Sequence, residues 1–437
     1  MDKSSHDVNL NTNELYSVAD DAYSIAKNLM VDYGSLFKCA SNKYNIWYEF
    51  KNHHWVEIEN AYTLRILISD KLTEKYVNQF NFYNSFKDGQ GFDKDQCIDT
   101  ARRISRVIGK LNGTVFKDDI IRECADLVYD PTFLNKLDEN VHLLCFSNGV
   151  YDLESNIFRK GSPDDYISFC AGYDYVEGYD KKGETIQEIK NFLKKIQPDK
   201  TMRKYLLTLL STCLTLSNES EEIYILKEFN TMSNKTLMKL MKYTFGDYFK
   251  RMDPTFLSEP YLFNTKGIRL CQIDLPLNGP EINLNITKIF GDVINFKPLL
   301  SDVINFKPLL SDVIKFKPQF KLFLLCDDHS KADDHNLPLR GQCDDMPHVK
   351  STDDGTWRRV KVINCSNKMD KNQFPTDNIS CPENPSADCV EKIYEWKQKF
   401  MCMLIHYHQK YRKTGLLCPK MVIDDTRFYH KKCLAEN

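Results

Sequence analysis

The stretch EEIYILKEFNTMSNKTLMKLMKYTFGDYF, residues 221–249, decides how the chain is read. Its first part is a short apolar run rich in β-branched and aromatic residues. Its second carries apolar residues at helical spacing, so a strand passing directly into a helix is expected. A phosphate-binding loop at such a junction has the form G-x-x-x-x-G-K-[ST]. The glycines let backbone N–H groups close on phosphate, the lysine meets the β/γ-phosphates and the hydroxyl reaches Mg²⁺. Lys235 and Thr236 stand in the required places, whereas Phe229 replaces the first glycine and Asn234 the second. Asparagine enters the left-handed backbone region readily, so Asn234 is a tolerable substitute. Phe229 is bulky where the turn should be tight. Taken alone, a Lys-Thr pair at a helix start is commonplace and identifies nothing.

Working outward, EEIYILKEF (221–229), KGIRLCQID (266–274), FKLFLLC (320–326) and RRVKVIN (358–364) are four short apolar strand candidates separated by helical or irregular segments. Near-continuous apolar runs of this length suit a sheet covered on both faces. They predict a three-layer α/β domain over about 200–370. Upstream, Asn13 to Met30 has helical spacing, and NIWYEF (45–50) and HWVEI (54–58) flank Lys51-Asn52 as two strands of a tight hairpin. Helical patterns follow at 63–81, 96–112 and 115–129, then LLCFSNGVYDL (143–153) places Asn148-Gly149 as a turn between apolar runs, and 184–216 reads as one or two helices. The division expected is a polar segment and helix over 1–30, a mixed α/β domain over 31–180, the α/β core over 181–375 and a helical region over 376–437.

Composition limits the functions available. Of 437 residues only 17 are glycine, which counts against any glycine-rich phosphate loop, and 59 Lys+Arg against 61 Asp+Glu leave a net charge of −2. No global positive field draws the chain to nucleic acid or an anionic membrane. The amino terminus has no apolar signal region, and no apolar run approaches the ~18 residues of a membrane span. The 15 cysteines are odd in number and irregular in spacing, and Cys213, Cys271 and Cys326 sit in apolar runs. A reducing intracellular compartment is expected. One further feature stands out: DVINFKPLLS (292–301) recurs identically at 302–311, and a diverged copy, DVIKFKPQFK, follows at 312–321. Ten residues are too few for a solenoid unit. A tandem duplication that leaves an extra loop or strand explains the identity better than a multivalent binding segment.

Several stretches, in order, resemble the superfamily 3 helicases, the AAA+ family found in primase-helicases of large DNA viruses. The 221–249 junction is similar to their nucleotide site; FSNGVYDLESNIFRKGSPDDYISFCAGYDY (146–175) resembles the domain preceding the helicase. FKPQFKLFLLC (316–326) resembles the strand carrying the polar sensor, STDDGTWRRVKVI (351–363) the arginine-bearing segment, and WKQKFMCMLIHYHQKYRKTGL (396–416) the helix after the core. The fold implied is a mixed α/β N-terminal domain followed by a three-layer AAA+-like P-loop core with helical flanks. The resemblance implies ATP and Mg²⁺ as cofactors, with Phe229, Asn234, Lys235 and Thr236 at the nucleotide and Thr236 with Asp274 at the metal. It also implies a catalytic set of Asp274, Asp327 as sensor, and Arg358 or Arg359 reaching the ATP of a neighbouring subunit. An ungapped comparison instead puts Leu275, Pro276 and Leu277 where the family has Glu-Pro-Glu, leaving Asp274 as an offset acid or a structural cap. An anionic Asp327 replaces the usual Asn, and Asp344 is a second sensor candidate.

The insertion DDHSKADDHNLPLRGQ after Cys326 includes Asp327, Asp328, His329, Asp333, Asp334 and His335, and reads as a solvated loop rather than a metal site. Basic stretches at 194–204, 235–251 and 315–321 are candidate DNA contacts, a solvated helix face being the default. The implied function is ATP-driven DNA unwinding in viral replication, on single-stranded or forked DNA, by a homo-oligomeric ring, usually a hexamer, with no membrane. No polymerase-type primase domain is expected, since the first 30 residues cannot hold one. The lost glycines, acidic pair and sensor Asn predict ATPase activity weakened or lost. The alternatives are a non-catalytic replication-associated protein that binds DNA or oligomerises, and a chain with no folded product.

Overall fold

The computed structural model describes residues 18–85, 93–228, 232–257, 264–275, 289–290, 294–296, 314–326, 354–365 and 387–435. The chain divides into two compact units, one of residues 1–51 and 55–134, the other of 52–54 and 135–437. The boundary between these compact units falls near 134. The reason is packing: the hairpin at 143–152 sends Leu144, Phe146 and Tyr151 into a core shared with helices far along the chain.

In the first unit, α1 (Ala22–Tyr33) is capped by Asp21, whose carboxylate accepts from the Ser24 N–H at 2.9 Å. Strands β1 (Phe37–Ser41), β2 (Ile46–Lys51) and β3 (His54–Glu59) form a three-stranded sheet in that order. The β2–β3 turn is Asn52-His53, both at positive φ (48° and 68°), as a two-residue hairpin turn requires. The expected helices appear as α2 (Tyr62–Leu67), which widens into a π turn over Ile68–Leu72, then α3 (Thr73–Asn84), α4 (Lys94–Leu111) and α5 (Thr114–Leu127). Their apolar faces close on the fully buried Trp47 from β2.

The second unit opens with β4 (Leu143–Phe146), β5 (Gly149–Asp152) and β6 (Ile157–Arg159), an antiparallel sheet. Phe146 pairs with Gly149, so the turn residues are Ser147-Asn148. A Cβ on Gly149 would lie 2.5 Å from the Arg159 carbonyl oxygen, which makes glycine obligatory for this close strand approach. Helices α6 (Glu184–Ile196) and α7 (Lys200–Thr212) follow, then β7 (Ile223–Glu228), α8 (Met232–Phe245), β8 (Phe249–Met252) and β9 (Leu270–Leu275). After the short strands β10 (Ile294–Phe296) and β11 (Ile314–Phe316) come β12 (Lys321–Cys326), α9 (Asp354–Arg359), β13 (Val360–Cys365), α10 (Ala387–Thr414) and α11 (Lys420–Ala435).

The five-stranded sheet has the order β13-β7-β12-β9-β8, and every neighbouring pair is parallel. Such a sheet must be covered on both faces. On one face Tyr224, Leu226, Phe323, Leu325 and Ile363 pack with α7, α8 and α10. On the other, Ile223, Ile225, Ile273, Leu324 and Val362 pack with Trp357 and with Tyr429 of α11. The mixed α/β architecture and the three-layer core thus stand, with β8 as a strand that the sequence pattern does not announce. A buried polar cluster joins β9 to β4: Arg269 donates to the carbonyls of Leu143 (2.5 Å) and Val141 (3.3 Å) and stacks on Tyr248 at 4.8 Å.

The repeat yields a local surprise. Ile294, Asn295 and Phe296 of the first copy pair antiparallel with Phe316, Lys315 and Ile314 of the third, so equivalent positions of two copies form a two-stranded ladder. The second copy lies outside the described residues.

His408 of α10 is buried, and burial together with the Arg412, Arg269 and His142 charges lowers its pKa from 6.5 to about 4. Between those values the unfolded chain binds a proton that the folded chain refuses, so stability falls as pH drops from 6.5 towards 4. His408→Leu is expected to remove on the order of 3 kcal/mol of that acid sensitivity. Urea unfolding of both proteins at neutral and mildly acid pH measures it.

Candidate functional site

In an open parallel sheet, ligands bind beyond the carboxyl ends of the strands where the chain reverses its direction of winding. Here the chain leaves β7, crosses to β8 at the far edge, returns through β9 to β12, then passes over β7 to β13. The carboxyl ends of β7, β12 and β9 are therefore the place to look. Leu226 is level with Leu325, and Leu325 with Asp274.

Asn234, Lys235 and Thr236 lie on the first turn of α8, which begins at Met232, four residues after β7 ends. The opening N–H groups of a helix lack intrahelical acceptors and carry partial positive charge. Asn234 and Thr236 are buried and Lys235 is half-buried. Phe229 lies outside the described residues, as do Asp327, Asp344 and the other acids and histidines of the insertion.

Asp274 occupies the right face. Leu270, two positions before Gln272, packs on the α8 side, whereas Cys271, Ile273 and Leu275 pack in the opposite core. Strand alternation then puts Gln272 and Asp274 on the α8 side. Leu275 points away from it, so Asp274 is the acid that the described end of β9 places on this face. Its carboxylate is engaged already. Gln272 donates to one oxygen at 2.6 Å, and Arg251, from the neighbouring β8, forms an ion pair with the other. Arg251 sits opposite Gln272 in the ladder, which brings its guanidinium up to Asp274. Sequence reasoning missed Arg251 and Gln272, because Phe249-Lys250-Arg251-Met252 has no alternation or apolar run that announces a strand.

Arg358 and Arg359 are elsewhere. They end α9 immediately before β13, whose first residue pairs with Ile223 at the start of β7. That is the amino-terminal edge of the sheet, a strand's length of roughly 20 Å from the carboxyl edge. Arg358 is exposed. Arg359 pairs with Glu221 at 3.2 Å and donates to the Gly355 carbonyl at 3.1 Å, a local ion pair and hydrogen bond. Trp357 anchors this turn, stacked on His430 at 4.3 Å.

The basic stretches divide. Lys194, Lys195, Lys200 and Lys204 are exposed, whereas Lys321 is buried and donates to the Asn218 side chain at 3.0 Å, its pKa lowered by burial. Lys317 pairs with Glu221 at 3.4 Å. Of the 315–321 stretch, Lys321 is thus withdrawn from the surface, whereas Lys317 is exposed.

With this geometry described, comparison with known proteins adds the family. Residues 8–198 match the family model "D5 N terminal like". "Putative helicase L207/L206" of Acanthamoeba polyphaga mimivirus is 44% identical over 94% of this chain and 42% of that protein. "Putative helicase 184R" of Invertebrate iridescent virus 6 is 23% identical over 72% of this chain and 35% of its own length. "Putative primase C962R" of African swine fever virus (isolate Pig/Kenya/KEN-50/1950) is 22% identical over 95% and 44%. The chain spans less than half the length of each of these relatives. Among solved structures, the A form apo structure of the NrS-1 C terminal region aligns with 91% of this chain and 74% of that one at 10% identity and a TM-score of 0.42. The chain is thus a relative of the primase-helicase proteins of large DNA viruses. Its residues 8–198 are similar to the D5 N-terminal-like family.

Removing the Trp357 anchor tests the arginine-bearing turn. Trp357→Ala is expected to cost about 3 kcal/mol by leaving a cavity against α11, with the far-UV circular dichroism retained. Denaturant unfolding followed by circular dichroism reads both.

Proposed function

We propose that this chain is a superfamily 3 type DNA helicase subunit of a viral replication apparatus, with an AAA+ P-loop site whose ATP turnover is weakened or lost. The observation that carries the reading is the placement of Lys235 and Thr236 on the first turn of the helix after β7, with Asp274 on the same face of the sheet at the carboxyl end of β9. ATP with Mg²⁺ fits this donor set. Helix N–H groups and the Lys235 ammonium take the phosphates, and the Thr236 hydroxyl and Asp274 carboxylate hold the metal. The metal supplies charge neutralisation at the phosphates when bound. Asp327 is proposed as the sensor on the strength of its position after β12.

Arg358 and Arg359 lie too far across the sheet to serve the phosphate site of their own chain. A neighbouring copy is the user that fits them, which supports a homo-oligomeric ring, in the family a hexamer. DNA, single-stranded or forked, is the proposed substrate, with the exposed lysines of α6 and α7 as phosphate contacts.

Weakened turnover rests on the occupied acid: an Arg251 guanidinium on Asp274 competes with Mg²⁺ for the same oxygens. The same observation favours the second reading, a non-catalytic replication protein that retains DNA-binding or oligomerising surfaces. Mg-ATP is expected to raise the melting temperature of the helicase-type protein, by about 2.7 kcal/mol of stability at a hundredfold excess over Kd. Lys235→Ala should abolish that shift. No shift, with DNA binding intact, selects the second reading.

Arg251→Ala is expected to free Asp274 and strengthen Mg²⁺-dependent ATP binding or hydrolysis. Unchanged Mg²⁺ dependence in this variant would remove Arg251 as the inhibitory contact.

A further inference from the structure

Outside the proposed nucleotide site, the second unit holds a cluster of metal-ligating groups that no part of the helicase reading uses. His54, Cys145 and Cys170 each offer one ligand atom, and these atoms lie within 4.8 Å of one another, the one such set of three among the described residues. Cys145 is fully buried in β4, Cys170 is buried in the segment after β6, and His54 is half-buried beside the Asn52-His53 turn. The three come from separate parts of the sequence, so local spacing does not reveal them.

We propose that His54, Cys145 and Cys170 bind one zinc ion, with a water completing the tetrahedron. Zn–S bonds of about 2.3 Å and a Zn–N bond of about 2.0–2.1 Å set ligand separations of roughly 3.5–3.8 Å. Adjustments of about an ångström bring these three atoms to that geometry. The charges also balance, since two thiolates and a neutral imidazole offset a divalent cation inside a buried site. Binding displaces one proton from each thiol to solvent, and no oxidant or reductant is required.

The surroundings resemble the outer shell of a metal centre. His54 Nδ1 lies 3.0 Å from the Asn52 carbonyl oxygen. In the tautomer where Nδ1 donates to that oxygen, Nε2 keeps the lone pair a metal needs. The Gly172 N–H donates to Cys170 Sγ at 3.3 Å, a contact that suits a thiolate. The Cys170 N–H in turn donates to the Asp247 carboxylate at 3.1 Å. The Cys145 thiol has Cys170 and the carbonyls of Asn52 (3.9 Å), His53 (3.6 Å) and Phe146 (3.5 Å) as its partners, the longer of them weak contacts. Zinc would fasten the 52–54 turn to β4 and to the 170 segment, a local staple in a part of the fold where the strands are only three or four residues long.

The test uses the full chain, reduced and stripped of metal, titrated with Co²⁺ alone and then with Zn²⁺. The expected result is a thiolate-to-cobalt charge-transfer absorption saturating at one Co²⁺ per chain, erased by Zn²⁺, and a Zn²⁺-dependent rise in melting temperature. Cys145→Ser and Cys170→Ser should each erase the band, and Cys418→Ser should leave it. Because substitution at the buried cysteines also perturbs packing, His54→Ala at the half-buried position is the second variant, expected to weaken Co²⁺ binding about tenfold or more while the metal-free melting temperature holds. A cooperatively folded wild-type chain that gives no band overturns the proposal. So does a band that survives loss of both cysteines, or a Cys145–Cys170 disulfide in the mass spectrum whose reduction restores no metal uptake.

Discussion

Everything in the second unit depends on one constraint: a five-stranded sheet that is parallel throughout has no solvent-facing side. Parallel strands need crossovers, the crossovers put helices on the faces, and the strands between them become apolar on both sides. Ile223 to Leu226 and Leu322 to Leu325 alternate between two cores without a polar break. That leaves the ends of the strands as the places where polar chemistry can sit. Lys235, Thr236 and Asp274 are found at the carboxyl ends, and Glu221 with Arg359 at the amino ends. The sheet thus assigns the two sets of charged residues to opposite edges before any particular side chain is considered.

The same constraint explains what the sequence reveals. Four of the five core strands read as apolar runs because burial on both faces leaves no room for alternation. The fifth, β8, is an edge strand whose Lys250 and Arg251 are not buried, and Phe249-Lys250-Arg251-Met252 lacks that signature. The first unit's hairpin was legible from its aromatic runs, although its turn falls on Asn52-His53 and not on Lys51-Asn52. The unit boundary was not. The 143–153 hairpin looks like a continuation of the region before it, and only the insertion of Phe146 and Tyr151 among residues of α7, α8 and α10 assigns it to the core. Such long-range packing leaves no local periodicity.

At the site, sequence order found the helix-start pair and the acid, because a strand–helix junction and a strand end are features of contiguous residues. It could not find the partner of that acid. Arg251 reaches Asp274 through lateral pairing of β8 with β9, and nothing in the order of the sequence shows which two strands lie side by side. Lys321 shows the converse. A lysine inside a basic stretch reads as a surface charge, yet its place at the start of β12 buries it against Asn218.

The ladder between β10 and β11 carries a different consequence. Duplicating a segment that can form a strand also duplicates a possible partner for it. Here Ile294 to Phe296 and Ile314 to Phe316 satisfy backbone groups between equivalent positions of two copies, without using an edge of the five-stranded sheet. In these three residues of each copy, a duplicated segment supplies the partner for its own backbone groups. The copies are then free to drift apart, as Lys315 in place of the asparagine at the matching position of the first copy already illustrates.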